Sequence, residues 1–260
     1  MASRTEQKRR LREEREQREA AAAASARRRR RLTLLIASAV AAVAVVGVLI
    51  AVSQSGGDDE SGLGGGESIS GVSEVSQRFR GIPQDGALLG DPGAPATMIE
   101  FVDLQCPFCA EYTRDALPTV IDRYVRTGKI NIELRPISIL GPDSSKAAGG
   151  AAAAAQRNRI WQFVDLFYLN QGQENSGYVT DDFLRRIARG SGVPPADVIS
   201  ASQAPESIPL LRQSAAEAQR DGISSTPSFL LRQGGETQGI AVSSFEPGEF
   251  TAALDEALSK

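Results

Sequence analysis

The residues best suited to chemistry are the two cysteines of the run Cys106-Pro107-Phe108-Cys109. At the start of a helix, residues three apart lie on one face, one turn apart. Sulfurs so placed close a disulfide with little backbone movement. The first also faces the unpaired N–H groups and the positive end of the helix dipole, which favour a thiolate over a thiol. The expected pKa of Cys106 is therefore depressed. A stabilised thiolate makes the disulfide easier to reduce, hence more oxidising. Pro107 suits the first helical turn, where its missing N–H has no partner to lose.

Composition narrows the alternatives. The chain has 260 residues, no histidine and no third cysteine. Without histidine there is no Ser-His-Asp or Cys-His nucleophile pair and no HExxH zinc helix. Two thiols do not complete a four-cysteine metal site in one chain, which leaves only a site shared between two copies. A disulfide across four residues restrains the unfolded chain very little, so stabilisation is a poor reason for it. The pair reads as a redox centre that needs no cofactor.

Around the pair, hydrophobic patterning places the elements that must hold it. Residues 96–104 read as a mostly apolar strand after the turn-rich GDPGAP, with Glu100 set oddly inside it. A helix from Cys106 to about Thr127, interrupted at Pro118, leads to a second strand over 129–139. A strand–helix–strand unit of this length implies a parallel pair with a crossover helix. Residues 144–170 read as a long helical stretch whose apolar face is Trp161, Val164, Phe167 and Tyr168. Further helices are expected over 180–189, after Val193-Pro194-Pro195, and over 209–221. A hairpin of strands 228–232 and 239–242 and a closing helix over 246–259 complete the order. The class is α/β, a small mixed sheet with a helical insertion at about 144–221.

The N-terminal part is organised differently. Residues 1–31 hold 12 Lys/Arg against 5 Asp/Glu, so the net charge of −3 divides into a basic tail of +7 and a remainder of −10. An acidic main body argues against nucleic-acid binding. Residues 32–52 carry no charge and reach about 32 Å as a helix, the thickness of a hydrocarbon core. Arg27 to Arg31 precede the run, so the positive-inside rule puts residues 1–31 in the cytoplasm as a basic tail and the domain outside the cell membrane. We expect an uncleaved single-pass signal anchor in lipid; Ala51-Val52-Ser53 leaves cleavage open. Residues 53–80 read as a flexible Gly/Ser/acidic linker, with Val72–Arg80 ambiguous and able to begin the folded domain at 81–260.

The stretch GALLGDPGAPATMIEFVDLQCPFC resembles the opening of DsbA-like thioredoxin-fold proteins, especially membrane-anchored bacterial thiol:disulfide oxidoreductases. Trp161-Gln162-Phe163-Val164-Asp165-Leu166-Phe167 resembles a tryptophan-containing stretch of the family's insertion. Ser225-Thr226-Pro227-Ser228-Phe229 resembles the loop of the family's cis-proline. The resemblance implies a thioredoxin fold with a helical insertion behind a single transmembrane helix. It implies that Cys106 is the exposed nucleophile, Cys109 the buried resolving thiol and Glu100 the buried acid beneath them. Pro227 would be cis and face the disulfide. Thr226 would offer backbone hydrogen bonds to an extended substrate, with Pro107 and Phe108 beside it. On the residues alone, Glu100 also reads as solvent-facing, Thr226-Pro227 as a trans turn, and Asp103 as a surface residue.

The implied activity is the introduction of disulfides into exported cysteine-containing proteins, with reoxidation by a quinone-linked membrane oxidase. A reductase or isomerase fed by a membrane electron donor, and a non-catalytic accessory module, are the alternatives. The chain departs from the family at Ser225, where many relatives have Gly, and at Val164, often His. Phe108 stands where DsbA has a histidine between its cysteines. It cannot donate a hydrogen bond to the thiolate, so a less oxidising pair than in that enzyme is expected.

Overall fold

The computed structural model describes residues 69–260. The basic tail, the apolar run 32–52 and residues 53–68 of the linker lie outside the described residues. Among those described, no helix is long and apolar enough to cross a membrane.

Six strands form one mixed sheet: β1 (Gln84–Asp85), β2 (Leu88–Leu89), β3 (Ala96–Val102), β4 (Asn131–Pro136), β5 (Ser228–Gln233) and β6 (Glu236–Gly239), in the order β1-β2-β4-β3-β5-β6. The central strand β3 runs parallel to β4, as the crossover predicts, and antiparallel to β5. The crossover is α2 (Pro107–Asp115) followed by α3 (Leu117–Val120) and a wider π-type turn over Ile121–Val125. Pro118 sits in the first turn of α3, where its missing N–H costs no ladder bond, so the chain restarts a helix there. The thioredoxin fold expected from the sequence is present: β-α-β, then helices, then an antiparallel hairpin and the closing α9 (Pro247–Leu258).

Several expectations are corrected. Val72–Arg78, left open between linker and folded domain, forms a helix, α1, whose Val75 packs into the core with the following Phe79. The second hairpin strand lies at 236–239, because Gly234 and Gly235 take the positive-φ turn and pairing starts at once, Gln233 with Glu236. The long helix over 144–170 is two helices, α4 (Pro142–Ala155) and α5 (Ile160–Leu169). They part at Asn158, whose φ of 55° breaks the right-handed run. Every residue of α5 from Ile160 to Tyr168 is buried, rather than one face of it.

The insertion continues with α6 (Asp181–Ser191), α7 (Pro195–Gln203) and α8 (Pro209–Arg220). The small residues of α4 let α7 come close: a Cβ on Gly149 would stand 2.5 Å from the Ala201 carbonyl. Thr180 caps α6 by accepting from the Phe183 N–H, as its Thr-Asp-Asp start suggested.

Candidate functional site

Strand β3 ends at Val102, and the chain turns over Asp103-Leu104-Gln105 into Cys106, which caps α2. Pro107 is the first helical residue, as its fixed φ favours. Cys106 and Cys109 are both thiols. The Cys106 thiol donates to the Thr226 carbonyl at 3.2 Å, and the Thr226–Pro227 peptide bond is cis. The structure therefore joins CPFC and the TP loop, 120 residues apart, in one site.

The two sulfurs are held at opposite acidities. A hydrogen bond from the Cys109 thiol, then the Thr226 side chain and the Cys109 and Phe108 N–H groups, lower Cys106 to about 6 against desolvation. Burial, and its hydrogen bond to Cys106, push Cys109 well above the ordinary thiol range. The depression expected from the helix N-terminus is present, and a neighbouring thiol adds the largest part of it. The resemblance implied an exposed Cys106. Instead it keeps only 4% of its surface, against none for Cys109, because the Thr226 loop lies on its sulfur. Phe108 beside it is 59% exposed and forms an apolar lip.

Glu100 lies in β3, registered with Leu134 on one side and Phe229 on the other, and the Tyr168 hydroxyl feels its charge together with those of both cysteines. Glu100 is 2% exposed, so the solvent-facing alternative is overturned. Its Oε2 has no hydrogen-bond partner. Burial, then the charge of Asp165, raise it to about 8. The Tyr112 hydroxyl, also buried and unpartnered, feels the Glu100 charge. Tyr112 packs on Phe229, ring centroids 4.7 Å apart, on the same side of the sheet. Asp165 itself is raised to about 7 by burial, although one Arg78 nitrogen stands 2.8 Å from each of its oxygens. The same guanidinium donates to the Thr113 carbonyl of α2, at 3.2 Å.

Asp103, expected at the surface, is fully buried and organises the loop. Its Oδ1 accepts from the Ser144 hydroxyl at 2.6 Å and the Gln105 N–H at 2.9 Å. Its Oδ2 accepts from the N–H groups of Ile139 and Leu140 at 2.8 and 3.0 Å. The Cys106 N–H and the Tyr168 hydroxyl both donate to its carbonyl. Gln171 adds a clamp from the insertion, donating to the Leu104 and Cys106 carbonyls. The insertion thus fixes the cysteine turn. Asp103 was missed because three of the four donors to its carboxylate, Ile139, Leu140 and Ser144, are 36 to 41 residues away; the fourth, the Gln105 N–H, is local. Among the described residues no group of His, Cys, Asp or Glu is arranged to hold a metal.

A family model described as Thioredoxin matches residues 84–245. A probable disulfide bond formation protein D of Bacillus cereus is 31% identical over 112 residues, which are 42% of this chain and 51% of that protein. The chain spans about half the length of the curated relatives it matches. The solved structure of oxidised BdbD from Bacillus subtilis superposes with a TM-score of 0.59 at 18% identity, over 69% of this chain and 98% of that one. A thioredoxin-like oxidoreductase from Silicibacter pomeroyi gives 0.52 at 25% identity, over 72% and 98%.

Proposed function

The chain belongs to the thioredoxin family, and on that premise we propose that it is a thiol:disulfide oxidoreductase that introduces disulfides into exported proteins. One observation carries the reading: two thiols of opposite acidity share a helix N-terminus, with the acidic one against the cis-Pro227 loop. The relatives named for disulfide bond formation support the direction.

The geometry supplies each step. A substrate thiolate attacks Cys106 Sγ of the oxidised pair, a new S–S bond forms, and the Cys106–Cys109 bond breaks. Cys109 leaves as a thiolate of high proton affinity and takes a proton, for which the neutral Glu100 carboxyl is the buried source. A second substrate thiolate then attacks the substrate sulfur of the mixed disulfide. Cys106 leaves as a thiolate, a good leaving group at pKa about 6. Two electrons have moved from substrate to enzyme; of the two protons the substrate thiols release, one replaces the proton Glu100 gave to Cys109 and one goes to solvent. Pro107, Phe108, Thr226 and Pro227 form the surface a substrate chain meets. The absence of a side-chain donor at Phe108 keeps the pair less oxidising than one with histidine there.

The apolar run 32–52 serves as a single-pass anchor, with the basic tail in the cytoplasm and the redox domain outside. The glycine-rich linker lets the domain alternate between clients and a quinone-linked membrane oxidase that restores the disulfide.

Replacing Cys106 by Ser abolishes oxidation of a reduced test protein, and Cys109→Ser accumulates mixed disulfides through Cys106. A Cys106→Ser protein that still oxidises the substrate overturns the mechanism. Acid trapping in cells followed by thiol alkylation gives mostly disulfide; mostly dithiol reverses the direction to reduction.

A further inference from the structure

A second polar site lies away from the cysteines, where α1, the turn before α5 and the end of α6 meet. A cavity of about 480 Å³ there is lined by Arg80, two residues past α1, Arg159 of the turn before α5 and Arg189 of α6, with Gln84, Gln162 and Phe79. No carboxylate of the described residues pairs with any of these three arginines, whereas Arg157, just before Arg159 in the chain, has Asp197. Gln162 is more than nine-tenths buried, and its Oε1, like that of Gln84, has no hydrogen-bond partner. A buried amide oxygen without a donor costs about 1–3 kcal/mol, so both are oxygens that a ligand would satisfy.

We propose that this cavity binds a phosphate ester with free hydroxyls, the chemistry of glycerol phosphate. Arginine presents a planar fork that matches phosphate oxygens. Three arginines lining one cavity offer enough donors for a single phosphate group. The two amide oxygens repel an anion and require donors, which hydroxyls on the same ligand supply. Phe79 and Val75 give the ligand's carbon skeleton an apolar wall. That chemistry has two sources: the headgroup of an anionic glycerophospholipid, or a free polyol phosphate. The cavity wall includes Val72, at the start of the folded domain.

The protein carries its own reporter. Trp161, its one tryptophan, stands 6.2 Å from the ring of Phe79, which lines the cavity. Full-length protein in neutral detergent micelles is titrated with glycerol phosphate while Trp161 emission is followed. A saturable change is expected, and the variant with Arg80→Gln, Arg159→Gln and Arg189→Gln binds at least about tenfold more weakly. Its far-ultraviolet dichroism and thiol exchange stay those of the wild type, because all three arginines lie at the surface. No saturable response, or a triple variant that titrates like the wild type, overturns the proposal. Inorganic phosphate binding as tightly as glycerol phosphate overturns the hydroxyl requirement and with it the assigned ligand class. The same titration in nanodiscs separates the sources. Phosphatidylglycerol discs that silence the response, with phosphatidylcholine discs that keep it, assign the lipid headgroup; equal responses assign the free polyol phosphate.

Discussion

The central sheet buries an ionisable side chain on each face, and the two are treated in opposite ways. On one face Arg135 of β4 is registered with Phe101 and is 2% exposed. Its Nε meets Glu217 of α8 at 2.5 Å and its Nη2 meets Glu133 at 2.7 Å. On the other face Glu100 of β3 has no cation and an unpartnered oxygen. The paired face holds its groups ionised: the two glutamates raise the affinity of Arg135 for its proton, and Arg135 lowers Glu217. The unpaired face holds its carboxyl neutral, poised near about 8. Pairing fixes a charge and ties β4 to the insertion. Leaving a carboxyl alone gives a group that can lend and take a proton. The cysteines stand on the second face.

If the paired face is structural, breaking it costs stability and spares the chemistry. Arg135→Ala leaves Glu217 without its ion pair and Glu133 with only Arg232, 3.7 Å away, and should lose about 3 kcal/mol by denaturant unfolding, with thiol exchange per folded molecule unchanged. A variant as stable as the wild type would remove the contrast between the faces.

Glu100 should behave in the opposite sense. Its folded pKa lies above the unfolded value, so its contribution is fully present below pH 4.5, where both states hold the proton. As pH rises toward about 8 the unfolded chain alone gains by ionising, and stability is lost. Glu100→Gln cannot ionise. Its stability relative to the wild type should therefore climb by about 3 kcal/mol between pH 4.5 and pH 7, while exchange slows and loses its pH dependence near 8. Parallel stability curves for the two proteins would place the Glu100 carboxyl in water.

The contrast also separates what the sequence reveals from what it hides. Cys106, Pro107 and Cys109 are legible because helix-start chemistry is written in four adjacent residues. The Thr226–Pro227 loop was placed beside them by resemblance, and the fold supplies the contact. Glu100 was visible as a carboxyl in an apolar run, yet periodicity alone left its face open. Arg135 was invisible: in an alternating strand it reads as a solvent-facing residue, and its partner Glu217 is 82 residues away. The hairpin β1–β2 is too short, at two residues per strand, to show a period. Helix α1 offered little more than Val75 and Phe79 as a signal. Long-range pairing, rather than local propensity, decided each of these.

Asp103 is a third kind of buried carboxylate, held by four neutral donors rather than by a cation or by nothing. Asp103→Ala leaves the Ile139 and Leu140 N–H groups without their acceptor. It should cost about 2 kcal/mol and loosen the cysteine turn, seen as faster hydrogen exchange at Cys106, whose N–H donates to the Asp103 carbonyl. Unchanged exchange there would mean that Gln171 and Tyr168 hold the turn unaided.

The smallest effect tests the surface of the active face. Thr226 touches Cys106 in two ways: its carbonyl accepts from the thiol, and its side chain stabilises the thiolate. Thr226→Val keeps the carbonyl and the shape but removes the hydroxyl. The Cys106 pKa, followed by thiolate absorbance near 240 nm, should rise from about 6 by less than one pH unit, because the Cys109 thiol remains the larger cause. Cys109→Ala, which removes that donor, should raise it further. If Thr226→Val has the greater effect, the cis-Pro loop governs the acidity of Cys106, and the neutral Glu100 matters less to the pair than the contrast between the faces requires.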